Sequence, residues 1–154
     1  MTVRFDHTTR IEAPAEVVFD LALDIDAHRA SMSASDERAV AGVTSGRIGL
    51  GETVTWRATH FHIPFTMTSR VTELERPERF VDEQVRGPFR AFHHEHVFEA
   101  HDGETRMVDR IRFDAPAGVV GRLVERAVLA SYLQKLIAVR AEYLKAEAER
   151  RHRA

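Results

Sequence analysis

Apolar and polar residues alternate along the first three quarters of the chain, and the period then lengthens to that of a helix. From Thr2 to Glu12, Val3, Phe5 and Ile11 stand among polar neighbours and predict a first strand. Ala13-Pro14-Ala15-Glu16 opens a helix, because proline is tolerated in a first turn and Glu16 suits the positive helix end. Val17, Val18, Leu21 and Ala22 share one face of it, and Asp24 is placed to cap a second short helix through Ala30. Glu37 to Gly42 reads as a short strand and Thr44 to Gly51 as a glycine-rich loop. Glu52 to His62 and Phe65 to Leu74 are rich in Thr, Val and aromatics, and predict a hairpin turning near Ile63-Pro64. Arg76-Pro77-Glu78 is a turn, Arg79 to Arg86 a strand, and Gly87-Pro88 a sharp turn. Phe89 to Ala100 and Thr105 to Asp114 flank His101-Asp102-Gly103-Glu104, where Asp-Gly between two alternating runs marks a second hairpin.

After Pro116 the rhythm changes. From Ala117 onward, Val120, Leu123, Val124, Ala127, Val128, Tyr132, Leu136, Val139, Tyr143 and Leu144 recur at helical spacing. A helix from there to Glu149 would be roughly 50 Å long, and its apolar stripe needs cover. The inner face of the sheet is the available partner. One strand, two short helices, about six further antiparallel strands and one long helix make an α+β chain of about seven strands. No repeat, linker or low-complexity segment divides residues 1–154, so one domain is expected. A curved sheet wrapped around a single helix leaves interior space, and that is the physical route from this pattern to a cavity.

Composition narrows the partners. Lys and Arg number 22 against 24 Asp and Glu, a balance that gives no reason to expect nucleic acid or a membrane surface. No run approaches the roughly 20 apolar residues of a membrane span. Met1 to Arg10 is polar and charged, with no signal-peptide core. There is no Cys, which fits a reducing cytoplasm and removes thiolate chemistry.

Four segments carry a family resemblance: RIEAPAEVVFDLALDIDAH (10–28), FVDEQVRGPFRAFHHEHVFE (80–99), GETRMVDRIRFDAPAG (103–118) and LIAVRAEYLK (136–145). In these the chain resembles the START/Bet v 1-like superfamily, also called SRPBCC, which includes polyketide cyclase/dehydrase-like proteins. The resemblance implies a helix-grip fold with a cavity between sheet and C-terminal helix. It implies binding of a small hydrophobic or amphipathic molecule or, alternatively, a cyclase- or dehydratase-type enzyme. It brings no universal catalytic motif to these positions.

Strand alternation sorts the candidate site residues. Phe80, Asp82 and Gln84 share one face, as do Phe92, His94, His96 and Phe98, and then Met107, Asp109, Ile111 and Phe113. The aromatics mark these as inner faces, so the polar members point inward and must find partners. They either satisfy one another as a buried network or orient a ligand. Asp82, Gln84, His94 and Asp109 are the expected polar end of a ligand site, with Trp56, on a face with Val54 and Ala58, as its apolar wall. A neutral His and a Gln amide beside two Asp suit a hydroxyl or carbonyl better than a carboxylate.

The pairs His60/His62 and His94/His96 have the spacing of strand metal ligands, but no third ligand follows from spacing, so neither metal nor cofactor is expected. The loop Gly46 to Gly51 is not a dinucleotide fingerprint, since its glycine spacing differs and a strand follows it. Ser31 to Ser35 lacks any nucleophile motif and reads as a polar loop. A monomer or homodimer is expected.

Overall fold

Period-two alternation produces seven strands in the computed structural model, which describes residues 2–115 and 123–154, with side chains from 126 onward in the second stretch. The elements are β1 (Thr2–Ile11), α1 (Ala15–Ala22), α2 (Ile25–Ser31), a short 3-10 turn (Ser33–Ser35), β2 (Arg38–Gly42), β3 (Thr53–His60), β4 (Ile63–Glu75), β5 (Arg79–Arg86), β6 (Ala91–His101), β7 (Glu104–Asp114) and α3 (Leu123–Arg153). The strands form one sheet in the order β1-β7-β6-β5-β4-β3-β2, antiparallel throughout. This is the expected α+β helix-grip arrangement, with two short helices after the first strand.

Local chemistry sets the boundaries. Pro14 precedes α1 in extended conformation, and Asp24 caps α2 by accepting a hydrogen bond from the Ala27 amide at 3.0 Å. Asp102 and Gly103 both take positive φ at the β6–β7 turn, as a two-residue hairpin loop requires. The other hairpin turns two residues earlier than its sequence indicates. Phe61 and His62, not Ile63-Pro64, carry the positive φ angles, at 52° and 62°. Pro64 then lies inside β4, opposite Thr59. His62 therefore sits in the turn and does not share a strand face with His60, which removes that His pair.

The loop from Thr44 to Gly51 is pinned onto the helices. The Ile25 amide donates to the Gly46 carbonyl at 2.9 Å, the Ile48 amide to the Leu23 carbonyl at 3.1 Å, and the Gly46 amide to Asp26 at 3.0 Å. Ile48 is buried as a result.

The sheet curls around α3, which spans 31 residues and about 46 Å. Its C-terminal half closes the core: Ala141, Leu144 and Ala148 pack in one cluster with Ile11, Val18, Phe19, Leu21, Phe98 and Met107. Its earlier half faces open space instead of a filled core, and Leu129, Leu133, Leu136 and Ile137 line a cavity. Two positions read into the apolar stripe point outward, Val128 and Val139, because the inward face is set by Leu133, Ile137, Arg140 and Leu144. A start at Ala117, and the side chains of Val120, Leu123 and Val124, lie outside the described residues. No helix among the described residues is long and apolar enough to cross a membrane.

Candidate functional site

Between the sheet and the first half of α3 lies a cavity of about 300 Å³. Its walls are mainly apolar, with Val54, Trp56, Ala58, Met67, Val71 and Phe92 on the sheet side. Polar groups cluster on this surface in two places, apart from the single residues Asp24, Ser69 and Arg70.

The first is where β5, β6 and β7 run side by side. Register places Asp82 opposite His94, and His96 opposite both Phe80 and Asp109, all on the concave face. His94 Nε2 and Asp109 Oδ1 share a hydrogen bond at 2.8 Å, and His96 Nε2 and Asp82 Oδ2 share one at 2.6 Å. The imidazoles stack with centroids 3.6 Å apart, and Phe80 stacks on His96 at 4.0 Å. His96 Nδ1 lies 3.4 Å from Asp109 Oδ1 and has no hydrogen-bond partner among the described residues. Asp82 with His96 and Asp109 with His94 thus form two hydrogen-bonded pairs side by side, the gap between them being the 3.4 Å from His96 Nδ1 to Asp109 Oδ1. Asp82, His94 and His96 stand on the cavity wall, and Asp109 lies behind them, fully buried.

Arg140 reaches this cluster from α3. It is 5 % exposed, yet it is poorly satisfied. Its Nη2 donates to the Ala22 carbonyl at 3.2 Å, and its Nη1 lies 3.7 Å from Asp109 Oδ1. Nε and Nη1 have no hydrogen-bond partner among the described residues. Orphaned donors this deep in a cavity wall are destabilising unless something supplies an oxygen.

Environment fixes the charges. Burial pushes the Asp109 carboxyl up, but the His94 hydrogen bond and the nearby His96 imidazole outweigh it and hold the group well below the usual carboxylate range. Burial also raises Asp82, and the His96 hydrogen bond again outweighs it, leaving the carboxyl at about 2. His94 is pushed down to about 4, by burial first and then by the neighbouring His96, against the opposing pull of Asp109. At neutral pH the wall holds two carboxylates, a neutral His94 and one guanidinium.

The second polar place is near β2, β3 and α2. His28 Nε2 and Glu37 Oε1 share a hydrogen bond at 2.7 Å, and the His28 ring stacks on Trp56 at 4.3 Å. His60 Nδ1 pairs with the Tyr132 hydroxyl at 2.6 Å. Burial lowers the His60 imidazole; burial, and then the charge of Glu37, raise the Tyr132 phenol.

Of the residues expected from sequence, Trp56, Asp82 and His94 line the cavity, and Asp109 supports His94 from behind. Gln84 does not line it. Its amide is taken by the β5–β6 turn, donating to the Phe89 carbonyl at 2.8 Å and accepting from the Phe89 amide at 3.2 Å. Sequence reasoning missed His28, Glu37, His60, Tyr132 and Arg140 as site residues. Two of these carried a signal: Ile25, His28 and Met32, and likewise Leu133, Leu136, Ile137 and Arg140, recur at helical spacing, so a His and an Arg fall on apolar faces.

Asp82, His94 and His96 also offer ligand atoms within 4.8 Å of one another, a spacing that a cation could bridge. The third ligand comes from the strand pairing, which spacing alone does not supply. In the arrangement described, Asp82 and His96 hydrogen-bond each other.

Comparisons with known proteins agree with this architecture. The ZhuI aromatase/cyclase from Streptomyces sp. R1128 superposes with a TM-score of 0.79 at 20% identity, over 98% of this chain and 96% of that one. TTHA0849 from Thermus thermophilus superposes at 0.73 with 19% identity, over 95% and 99%. Major latex-like protein 151 from Panax ginseng superposes at 0.69 with 12% identity, over 96% and 97%. At these identities the likeness establishes the fold. No curated protein matches the sequence. A family model described as polyketide cyclase / dehydrase and lipid transport matches residues 2–149, and the chain belongs to that family.

Proposed function

We propose that the protein binds a small, largely apolar, neutral molecule in the cavity, with one oxygen of the ligand held by Arg140 and His94. The observation that carries this reading is the mismatch in the wall. A cavity of about 300 Å³, lined mainly by apolar side chains, presents a nearly buried guanidinium whose Nε and Nη1 have no partner among the described residues. That volume suits a molecule of a few fused rings. Arg140 alone would favour an anion, but Asp82 and Asp109 beside it are both ionised and already offset its charge. A hydroxyl or carbonyl oxygen is therefore preferred over a carboxylate.

The test is a titration calorimetry panel of neutral polycyclic phenols and ketones against fatty acids of similar size. Neutral compounds are expected to bind, and Asp82→Asn and His94→Ala to weaken them by about 1–3 kcal/mol each. Fatty acids binding while neutral polycycles do not, or both variants binding like the parent, contradicts the assignment.

A second reading, a cyclase or dehydratase, is favoured by one specific feature: two His–Asp pairs side by side on the wall, His94 with Asp109 and His96 with Asp82. A neutral His94 backed by a carboxylate can accept an α-proton from a β-carbonyl chain, and Arg140 can stabilise the resulting enolate oxygen. Turnover of a poly-β-carbonyl substrate that His94→Gln abolishes, with binding retained, would select this reading. Either way we expect residues 1–154 to form one domain, a monomer or homodimer in the cytosol, needing no cofactor and no nucleic acid partner. The balanced charge and the absence of Cys support that placement.

A further inference from the structure

The cavity has two polar stations, and only one of them is accounted for by a ligand with a single polar end. We propose that the ligand has two: an oxygen held by Arg140 and His94, and a hydrogen-bond donor held by Glu37 at the opposite end of the cavity. This inference rests on the cavity-binding reading and sharpens it to a class of ligand.

Glu37 is the unexpected residue. Its side chain is 11 % exposed, and it stands on the wall of an apolar cavity beside Trp56. His28 engages one carboxylate oxygen, Oε1, at 2.7 Å. A carboxylate only accepts, so whatever else meets it must donate. Arg140 only donates, so whatever meets its orphaned Nε and Nη1 must accept. The two stations thus ask for opposite hydrogen-bonding roles, which gives the ligand a direction in the cavity.

Their separation follows from the register. Trp56, on which His28 stacks, pairs with Met67, and Asp82, opposite His94, pairs with Val71, so these two neighbours of the stations lie two strand spacings apart and about four residues along β4. Measured along the sheet, that is roughly 15 Å. The side chains between them, Val54, Met67, Ser69 and Val71, carry only one hydroxyl, that of Ser69. The helix reports the same span independently. Tyr132, bonded to His60 and close enough to feel the Glu37 charge, faces that station, and Arg140 faces the other, about two helical turns and about 12 Å away. Sheet and helix therefore each place one polar feature at each end of an apolar middle. A fatty acid would bury its methyl end against a carboxylate. A rigid, flat molecule with a hydroxyl at each end matches both.

The stilbenes provide that comparison: 4,4′-dihydroxystilbene, 4-hydroxystilbene and unsubstituted stilbene, titrated while following Trp56 fluorescence. The dihydroxy compound is expected to bind about tenfold more tightly than the monohydroxy compound, the effect of one further well-made hydrogen bond in a desolvated site. Glu37→Leu should reduce that advantage to less than about threefold, and Tyr132→Phe, a milder change at the same station, should narrow it. Equal affinities for the two phenols in the unaltered protein would overturn the two-station inference and leave the cavity reading standing. Binding by none of the three would overturn both.

Discussion

His94 sits between opposing pulls. Its ring is buried and stacked on a second imidazole, which disfavours its charge, while Asp109 accepts its Nε2 hydrogen bond at 2.8 Å. Burial wins, and the group titrates at about 4, against about 6.5 in an unfolded chain. Between those values the unfolded chain binds a proton that the folded chain refuses, so stability falls as pH drops from 6.5 to 4. The slope is up to about 1.4 kcal/mol per pH unit for one such group. His60, also lowered by burial, acts with the same sign. Asp82, held at about 2, contributes stability that is present above its unfolded value and is lost as pH falls through 2. Urea denaturation at pH 7, 6, 5 and 4 should show the slope, and His94→Gln should flatten it. A level profile in the parent, or an unchanged slope in the variant, contradicts this account of the wall. The inward direction of Asp82, His94 and Asp109 is legible from alternation alone, because strand period two leaves no choice of face. The partner of each is not, since it depends on register. Gln84 shows the limit: it occupies an inner-face row, but a tight turn five residues away takes its amide.

At the scale of elements, α3 has two jobs along one length. Leu144 is 1 % exposed and packs among Ile11, Val18 and Phe19. Leu136, two turns earlier, borders the cavity. Truncation at the two sites should therefore differ. Leu144→Ala should cost about 2–5 kcal/mol, as in a filled core, whereas Leu136→Ala only enlarges an existing space and should cost less than about half as much. Chemical denaturation measures both, and equal losses would mean that the first half of α3 closes onto a packed core. The sequence pattern indicates that a long helix needs cover, but not that half of it faces empty space. Period alone cannot separate an apolar wall from an apolar core, because both exclude water. The hairpin turn departs from its sequence signal for a related reason. Ile63-Pro64 has turn chemistry, yet the left-handed residues are the bulky pair Phe61 and His62. The Phe61 ring packs at 4.5 Å against Tyr132, a tertiary contact that local propensity does not carry.

The whole molecule is a sheet bent around a helix with its interior left partly open, and with some charged groups placed on the inner wall as well as on the surface. Such an interior weakens the fold: the orphaned donors on Arg140 and the unpaired nitrogen on His96 are destabilising unless a ligand completes them. The central claim is that this space is occupied by a neutral, oxygen-bearing hydrophobic molecule. Native mass spectrometry of the protein purified from its own host tests it most directly, with Ser69→Trp as the companion, since Ser69 is buried on the cavity wall and an indole there would obstruct the cavity. The parent is expected to retain one small neutral molecule per chain and the variant, folded by circular dichroism, to retain none. A bound fatty acid, or a parent as empty as the variant, would contradict it.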